Sequence, residues 1–293
     1  MHSSIALPPG YRADDALSFH ARDPEGTAEQ VHGRTIRKGI MIDGVPVLIE
    51  VVIGTELAQY DVTADGVLSS YRLGEARQAL YSLLGLRIDP APFLAAVAGD
   101  PVLGPVAQRH PGLRVVQSSS IFEALSWAII GQQINLPFAI ALRRTFIEQA
   151  GRRHSSGLWC YPEAGDVARM PIDALLRRKF SRAKAETLLR LAALVDGGSV
   201  RLDRDIDLAA TSAQLLAVKG IGPWTVNYTL LRGYGHPDCS LHGDVAIRSA
   251  FQRLLGEEAK PDIARTEALL ARYAPHRTMA AAHLWASLSD PSS

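Results

Sequence analysis

Leu215-Leu-Ala-Val-Lys-Gly-Ile-Gly-Pro-Trp-Thr-Val226 reads as a helix, a sharp turn through Gly220-Ile221-Gly222, and a second helix opened by Pro223. Glycine at two turn positions allows positive φ and close backbone approach, and proline suits the first turn of a helix. Such a turn exposes unpaired amides at a helix N-terminus, which can hold a phosphate oxygen without reading any base. The same letters also describe an ordinary αα-hairpin, so the flanking sequence has to decide. Downstream, Pro237-Asp-Cys-Ser-Leu-His-Gly-Asp244-Val-Ala-Ile-Arg248 sets an aspartate at the start of a further helix.

Around this hairpin, everything from about residue 117 onward reads as all-α. Ser120 and Glu123 stand in capping-box spacing before an apolar helix that runs through Ile134. Further helices are predicted at Leu136–Gly151, Pro171–Lys179, Arg182–Asp196, Ser212–Val218, Pro223–Gly233, Asp244–Leu255, Asp262–Tyr273 and Thr278–Ser287. The first third differs. Arg34–Ile42 and Val45–Ile53 are β-branched runs joined by Asp43-Gly44, the pair that a type I′ turn demands. A strand at Leu57–Thr63, a helix at Leu73–Leu86 and short helices between Asp89 and Gly112 complete an α+β unit. Two domains are expected, 1–116 and 117–293, with the helix–hairpin–helix at about 212–233.

Composition excludes several classes. The chain has 293 residues, 31 Lys+Arg against 30 Asp+Glu, 47% hydrophobic and 21% charged residues. Those are globular values, unlike a disordered chain or a strongly basic nucleic-acid coat. No apolar run is long enough to span a bilayer, and MHSSIALPPG shows no signal-peptide pattern, so a cytoplasmic monomer is expected. Cys160 and Cys239 are too few for an iron–sulfur cluster.

Together the hairpin and Asp244 resemble the helix–hairpin–helix DNA glycosylase superfamily. The likeness extends to Phe122-Glu-Ala-Leu-Ser-Trp-Ala-Ile-Ile-Gly-Gln-Gln133, Arg182-Ala-Lys-Ala185 and Ala282-His-Leu-Trp285. Trp224-Thr-Val-Asn-Tyr228 and Leu231-Arg-Gly233 are most similar to its alkyl-base branch, DNA-3-methyladenine glycosylase II. The resemblance covers about 117–288 and, more weakly, the first domain, where it implies a TATA-binding-protein-like antiparallel sheet with helices. In branches that also cut the backbone, a Schiff-base lysine stands where this chain has Trp224, and other branches carry four late cysteines. Both absences imply a monofunctional, cluster-free enzyme.

The implied reaction is hydrolysis of the N-glycosidic bond of alkylated purines, of the 3-methyladenine and 7-methylguanine type, in double-stranded DNA, leaving an abasic site for base excision repair. Positive charge grows on the sugar as the base leaves, and a fixed carboxylate, Asp244, would stabilise it. An aspartate there is also an ordinary N-cap, and the two roles are compatible. Flipping the base costs a few kcal/mol, and aromatic faces suit a cationic purine. The resemblance assigns Trp224, Tyr228 and Trp285 to that pocket, with Phe19 closing it. It assigns Gln133 to the gap left in the duplex, where some relatives use leucine. Lys219, Gly220, Gly222 and Thr225 fall to the phosphate clamp. Arg177, Arg178, Lys179, Arg182, Lys184 and Arg190 form a basic segment that is either a solvated face or a phosphate strip. No organic cofactor is implied; the family allows a monovalent cation at the hairpin carbonyls.

Two other readings stand against this one. His236, Asp238, Cys239, His242 and Asp244 could hold Zn²⁺ in a metal-dependent hydrolase, although their spacing matches no helical metal motif. A DNA-binding module without catalysis would need the hairpin and the basic segment, but has no use for Asp244.

Overall fold

The computed structural model describes residues 1–205 and 207–290. Its first part holds five strands, β1 (His2–Ala6), β2 (Glu29–His32), β3 (Thr35–Ile42), β4 (Val45–Ile53) and β5 (Leu57–Ala64), in the antiparallel order β1-β5-β4-β3-β2. The Asp43-Gly44 turn forms as predicted, with φ of 49° and 70° and Ile42 paired to Val45. β5 alternates, burying Ala58, Tyr60 and Val62 and exposing the residues between, so one face of the sheet carries the core. Helix α1 (Ala13–His20) and helix α2 (Ser70–Leu83), capped by Ser69, close over this sheet. The edge strands β1 and β2 have five and four residues and too little alternation to be read from sequence.

The short helices α3 (Ala91–Ala96) and α4 (Leu103–Arg109) add their apolar residues to the second hydrophobic cluster, which takes in Ala28 and residues from Ile88 to Leu284. That cluster is formed mainly by α5 (Ile121–Gly131), α6 (Leu136–Ala150), α7 (Ala164–Ala168), α8 (Asp173–Leu176), α9 (Arg182–Asp196), α10 (Leu208–Leu216), α11 (Pro223–Thr229), α12 (Val245–Leu255), α13 (Ile263–Ala271) and α14 (Arg277–Ser287). This part is not purely helical. Two-residue strands β6 (Arg152–Arg153) and β7 (Trp159–Cys160) pair with each other, and Tyr161 exchanges backbone hydrogen bonds with Gly39 and Met41 of β3. A side chain at Gly39 would meet the Trp159 carbonyl at 2.2 Å, so glycine is what lets this strand pair lie against the sheet.

Other expectations need correction for local reasons. Helix α5 stops at Gly131, short of Ile134. The segment at Pro171–Lys179 yields only the single turn of α8, and α11 passes into a π-helical turn at Leu230–Tyr234 before Gly235 ends it in the left-handed region. The capping box at Ser120 is half made: Ser120 accepts from the Glu123 amide, but the Glu123 carboxylate turns elsewhere.

It turns to a buried charge network. Lys38 on β3 donates to Glu29 at 2.8 Å and to Glu123 at 2.7 Å, and Arg143 on α6 reaches Glu29 at 2.8 and 2.9 Å and Glu123 at 2.6 Å. Lys38, Glu29 and Glu123 are buried and Arg143 nearly so, joining the sheet to α5 and α6. Burial alone would raise both carboxyl pKa values, but the two cations more than reverse this and hold both below the usual range.

The turn between α10 and α11 is shaped by one glycine. Gly220 has φ of 99°, and a Cβ there would meet Thr187 Oγ1 at 2.1 Å. Gly222, by contrast, is extended at φ −112°, with open space where a side chain would go. The expectation of positive φ at both glycines therefore holds only for Gly220.

These contacts set the expected stability of three variants. Lys38→Met leaves two buried carboxylates facing one cation and should lower the urea unfolding free energy by about 3–5 kcal/mol. Gly220→Ala should cost about 1–3 kcal/mol by the same measurement, whereas Gly222→Ala should stay within about 0.5 kcal/mol of the parent.

Candidate active site

Asp244 is the N-cap of α12, and its Oδ1 accepts the amides of Ala246 and Ile247, each at 3.0 Å. Capping occupies one oxygen, and the dipoles at the helix start favour negative charge there. The second oxygen, Oδ2, accepts the Trp224 indole N–H at 3.0 Å, and Oδ1 takes the Trp285 indole N–H at 3.3 Å. The half-buried carboxylate is thus a cap and, at the same time, the meeting point of two tryptophans from different helices.

From that point the contacts run in a closed circuit. Trp224 sits in the first turn of α11 and Tyr228 one turn later, so their rings stack at 5.1 Å with 28° between planes. The Tyr228 hydroxyl accepts the Trp127 indole N–H from α5 at 3.0 Å. Arg22, just beyond α1, lies 3.6 Å above the Phe19 ring and 5.8 Å from Trp127. Arg232, in the π-helical turn, lies 4.9 Å from Phe19 and 5.3 Å from Trp285, which returns the circuit to Asp244. The structure therefore brings together Asp244, Trp224, Tyr228, Trp285 and Phe19.

Three members of the circuit were not identified from the sequence as site residues. Trp127 and Arg232 lie inside stretches that carried the family resemblance, and that was the available signal. Arg22 had none, because only the docking of α1 against the helices brings it there.

Gln133 occupies the loop between α5 and α6, exposed and at φ of 56°, an uncommon conformation for a residue with a side chain. The loop is pinned on both sides. Lys184 donates to the Ile130 carbonyl at 2.8 Å, and the Gln132 side-chain amide donates to the Gly220 carbonyl and to Thr225 Oγ1, each at 3.0 Å. Thr225 is buried, so only its backbone can serve the outer surface of the hairpin, while Lys219 and Gly220 are exposed.

Three hairpin carbonyls accept hydrogen bonds within the chain. Val218 accepts from the Ile221 amide at 3.0 Å, Lys219 from the Arg190 guanidinium at 3.1 Å and Gly220 from Gln132. Of the basic segment, Lys184 and Arg190 are spent on these internal contacts, while Arg177, Arg178, Lys179 and Arg182 remain exposed.

The candidate metal ligands do not converge. Asp238 is held by Arg277 at 2.6 and 2.7 Å, and His242 pairs with Ser240 at 3.0 Å. Burial pushes the Cys239 thiol up to about 12. Among the described residues no three His, Cys, Asp or Glu side chains are placed to share an ion. A cleft of about 1100 Å³ opens elsewhere, between the sheet and α7, with Arg87, Glu163 and Arg204 among its lining residues. None of its lining residues belongs to the aromatic circuit.

The profile of the HhH-GPD superfamily base excision DNA repair protein matches residues 126–276. A "DNA-3-methyladenine glycosylase" of Bacillus subtilis is 26% identical over 264 residues, covering 88% of this chain and 87% of the relative. Among solved structures, a 3-methyladenine DNA glycosylase from Archaeoglobus fulgidus superposes with a TM-score of 0.82 at 21% identity, over 97% of each chain. An 8-oxoguanine glycosylase/lyase of Clostridium acetobutylicum, solved with double-stranded DNA, gives a TM-score of 0.73 at 12% identity, over 99% of this chain and 97% of that one. The matched segment contains the hairpin, Trp127, Trp224, Tyr228 and Asp244, and the chain belongs to the HhH-GPD superfamily of base excision DNA repair proteins.

Proposed function

We propose that this chain is a monofunctional DNA glycosylase that excises alkylated purines from double-stranded DNA by hydrolysis, leaving an abasic site. The observation that carries the reading is the Asp244 carboxylate, fixed by two backbone amides and two indole N–H groups at the edge of an aromatic circuit. The 3-methyladenine glycosylases among its relatives support the substrate class.

In this reading the flipped base lies among the rings and the sugar beside Asp244. As the bond from C1′ to the base nitrogen lengthens, positive charge grows on the sugar and the fixed carboxylate stabilises it without having to reorganise. Asp244 then orients a water for attack at C1′ and receives its proton. Gln133 projects from a pinned loop to fill the vacated place in the duplex. Gly222, with open space before it, lets a phosphate approach the amides of α11. With tryptophan at position 224, no amine is available there to attack the sugar, which supports hydrolysis without strand cleavage. The five-stranded unit, residues 1–116, is read as the TATA-binding-protein-like domain of the family, with 117–293 as the catalytic one.

Asparagine caps helices about as well as aspartate. Asp244→Asn should therefore keep the fold and the affinity for an abasic-site duplex, while the single-turnover release of base from methylated DNA falls by about 10²–10⁴-fold; release within threefold of the parent would remove Asp244 from the mechanism. Borohydride added during turnover should trap no covalent protein–DNA adduct, and a trapped adduct on gels would show a lyase. Chelation with EDTA should leave base release intact, and loss restored by Zn²⁺ would return the metal reading.

A further inference from the structure

Charge in the cleft between the sheet and α7 is unevenly matched. Asp43 pairs with Arg72, Asp166 with Arg152 and Asp203 with Arg201, while Glu163 accepts the amides of Asp43 and Gly44. Two half-buried cations of the same cleft are left over: among the described residues neither Arg87 nor Arg204 has an ion-pair partner. Every hydrogen bond they make goes to a neutral group. Arg87 donates through Nε to Ser82 Oγ at 2.8 Å, and through Nη2 to the Gln78 carbonyl at 2.6 Å and to Gln78 Oε1 at 2.9 Å. Arg204 donates to the Gly233 carbonyl at 2.9 Å and to the same Ser82 Oγ at 3.5 Å. Glu75 is the carboxylate that acts on both, but it is exposed on α2 and lies beyond ion-pair distance of either.

Two guanidiniums gathered on one buried hydroxyl repel each other where water screens them poorly. Burial, and after it the Arg204 charge, pull the Arg87 pKa down to about 10, and burial lowers that of Arg204. Such a pair is costly unless an anion sits against it. A carboxylate is satisfied by one guanidinium fork, whereas the oxygens of a phosphate can bridge two. Ser120 and Ile121, at the start of the eleven-residue α5, line the same cleft and bring the positive end of a helix dipole to it. At about 1100 Å³ the space holds a small molecule. Both guanidiniums lie inside a concavity, which a small anion can enter and the convex backbone of a duplex cannot follow.

We propose that Arg87 and Arg204, gathered on Ser82, form a phosphate-binding site in this cleft, and that its ligand is a small phosphorylated molecule. The site is separate from the aromatic circuit and does not depend on the glycosylase reading. Its one link to that circuit is structural: Arg204 holds the carbonyl of Gly233, the residue after Arg232 in the π-helical turn.

The test is calorimetric titration of inorganic pyrophosphate into the full chain, with the parent, Arg87→Gln, Arg204→Gln, Arg204→Lys and Arg77→Gln. The parent should bind it, and Arg87→Gln and Arg204→Gln should each weaken binding by about tenfold or more. Arg204→Lys keeps the charge without the fork and should recover part of the loss. Arg77→Gln removes an exposed charge of α2 that does not line the cleft, and should stay within about twofold of the parent. A parent that binds no pyrophosphate overturns the proposal, as does binding unchanged by either glutamine substitution. A loss that Arg204→Lys does not reduce would mean a structural role and overturn it too. Succinate bound as tightly as pyrophosphate would make this a carboxylate site, and displacement of pyrophosphate by an undamaged duplex would give the cleft to a DNA backbone; either result sinks the small-phosphate ligand.

Discussion

One carboxylate with four donors organises the aromatic circuit of this molecule. Asp244 starts α12 by accepting two amides, and it ties that helix to α11 through Trp224 and to α14 through Trp285. A surface N-cap needs none of the last two bonds. Their presence means that the orientation of the carboxylate is set by tertiary structure, which preorganised electrostatic stabilisation requires. The stack of Trp224 on Tyr228, and the bond from Trp127 to Tyr228, extend the same rigidity to α5.

The sheet serves this site from a distance. Its core packs α1, and α1 carries Phe19 and leads to Arg22. What holds the sheet in place against the helices includes the network of Lys38, Glu29, Glu123 and Arg143. Buried ion pairs contribute little net stability compared with apolar packing, yet breaking one is costly. Here the network also reaches the aromatic circuit, since His20 beside Phe19 lies 3.9 Å from Glu29. The fold thereby couples the register of β2 and β3 to the position of one pocket ring.

Much of this was legible in the sequence, for identifiable reasons. The Asp43-Gly44 turn, α6, α9 and the hairpin announce themselves through local chemistry: a dipeptide with one favoured turn, serine and asparagine caps, and glycine before proline. Asp244 was legible as a cap because an aspartate stands directly before the apolar spacing of α12. The strands β6 and β7 were not, because they exist only where Gly39 and Gly151 let backbone come close. Glu123 misled for a related reason: its local signal matched a capping box, while Lys38, eighty-five positions away, claimed its side chain. Arg22 belongs to the same class, since its place beside Phe19 and Trp127 comes from neighbours distant in the chain.

The loop carrying Gln133 has a mechanical implication. Lys184 grips it at the Ile130 carbonyl, and the Gln132 amide grips the Gly220 carbonyl and Thr225, so the loop and the hairpin are fastened to each other. A left-handed backbone at Gln133 leaves little freedom for the side chain to retreat by local rearrangement. Whatever docks on the hairpin therefore meets a tooth on a rigid jaw, at a fixed offset from the place it is held. The spacing between grip and probe is cast into the scaffold, and a bent ligand must conform to it.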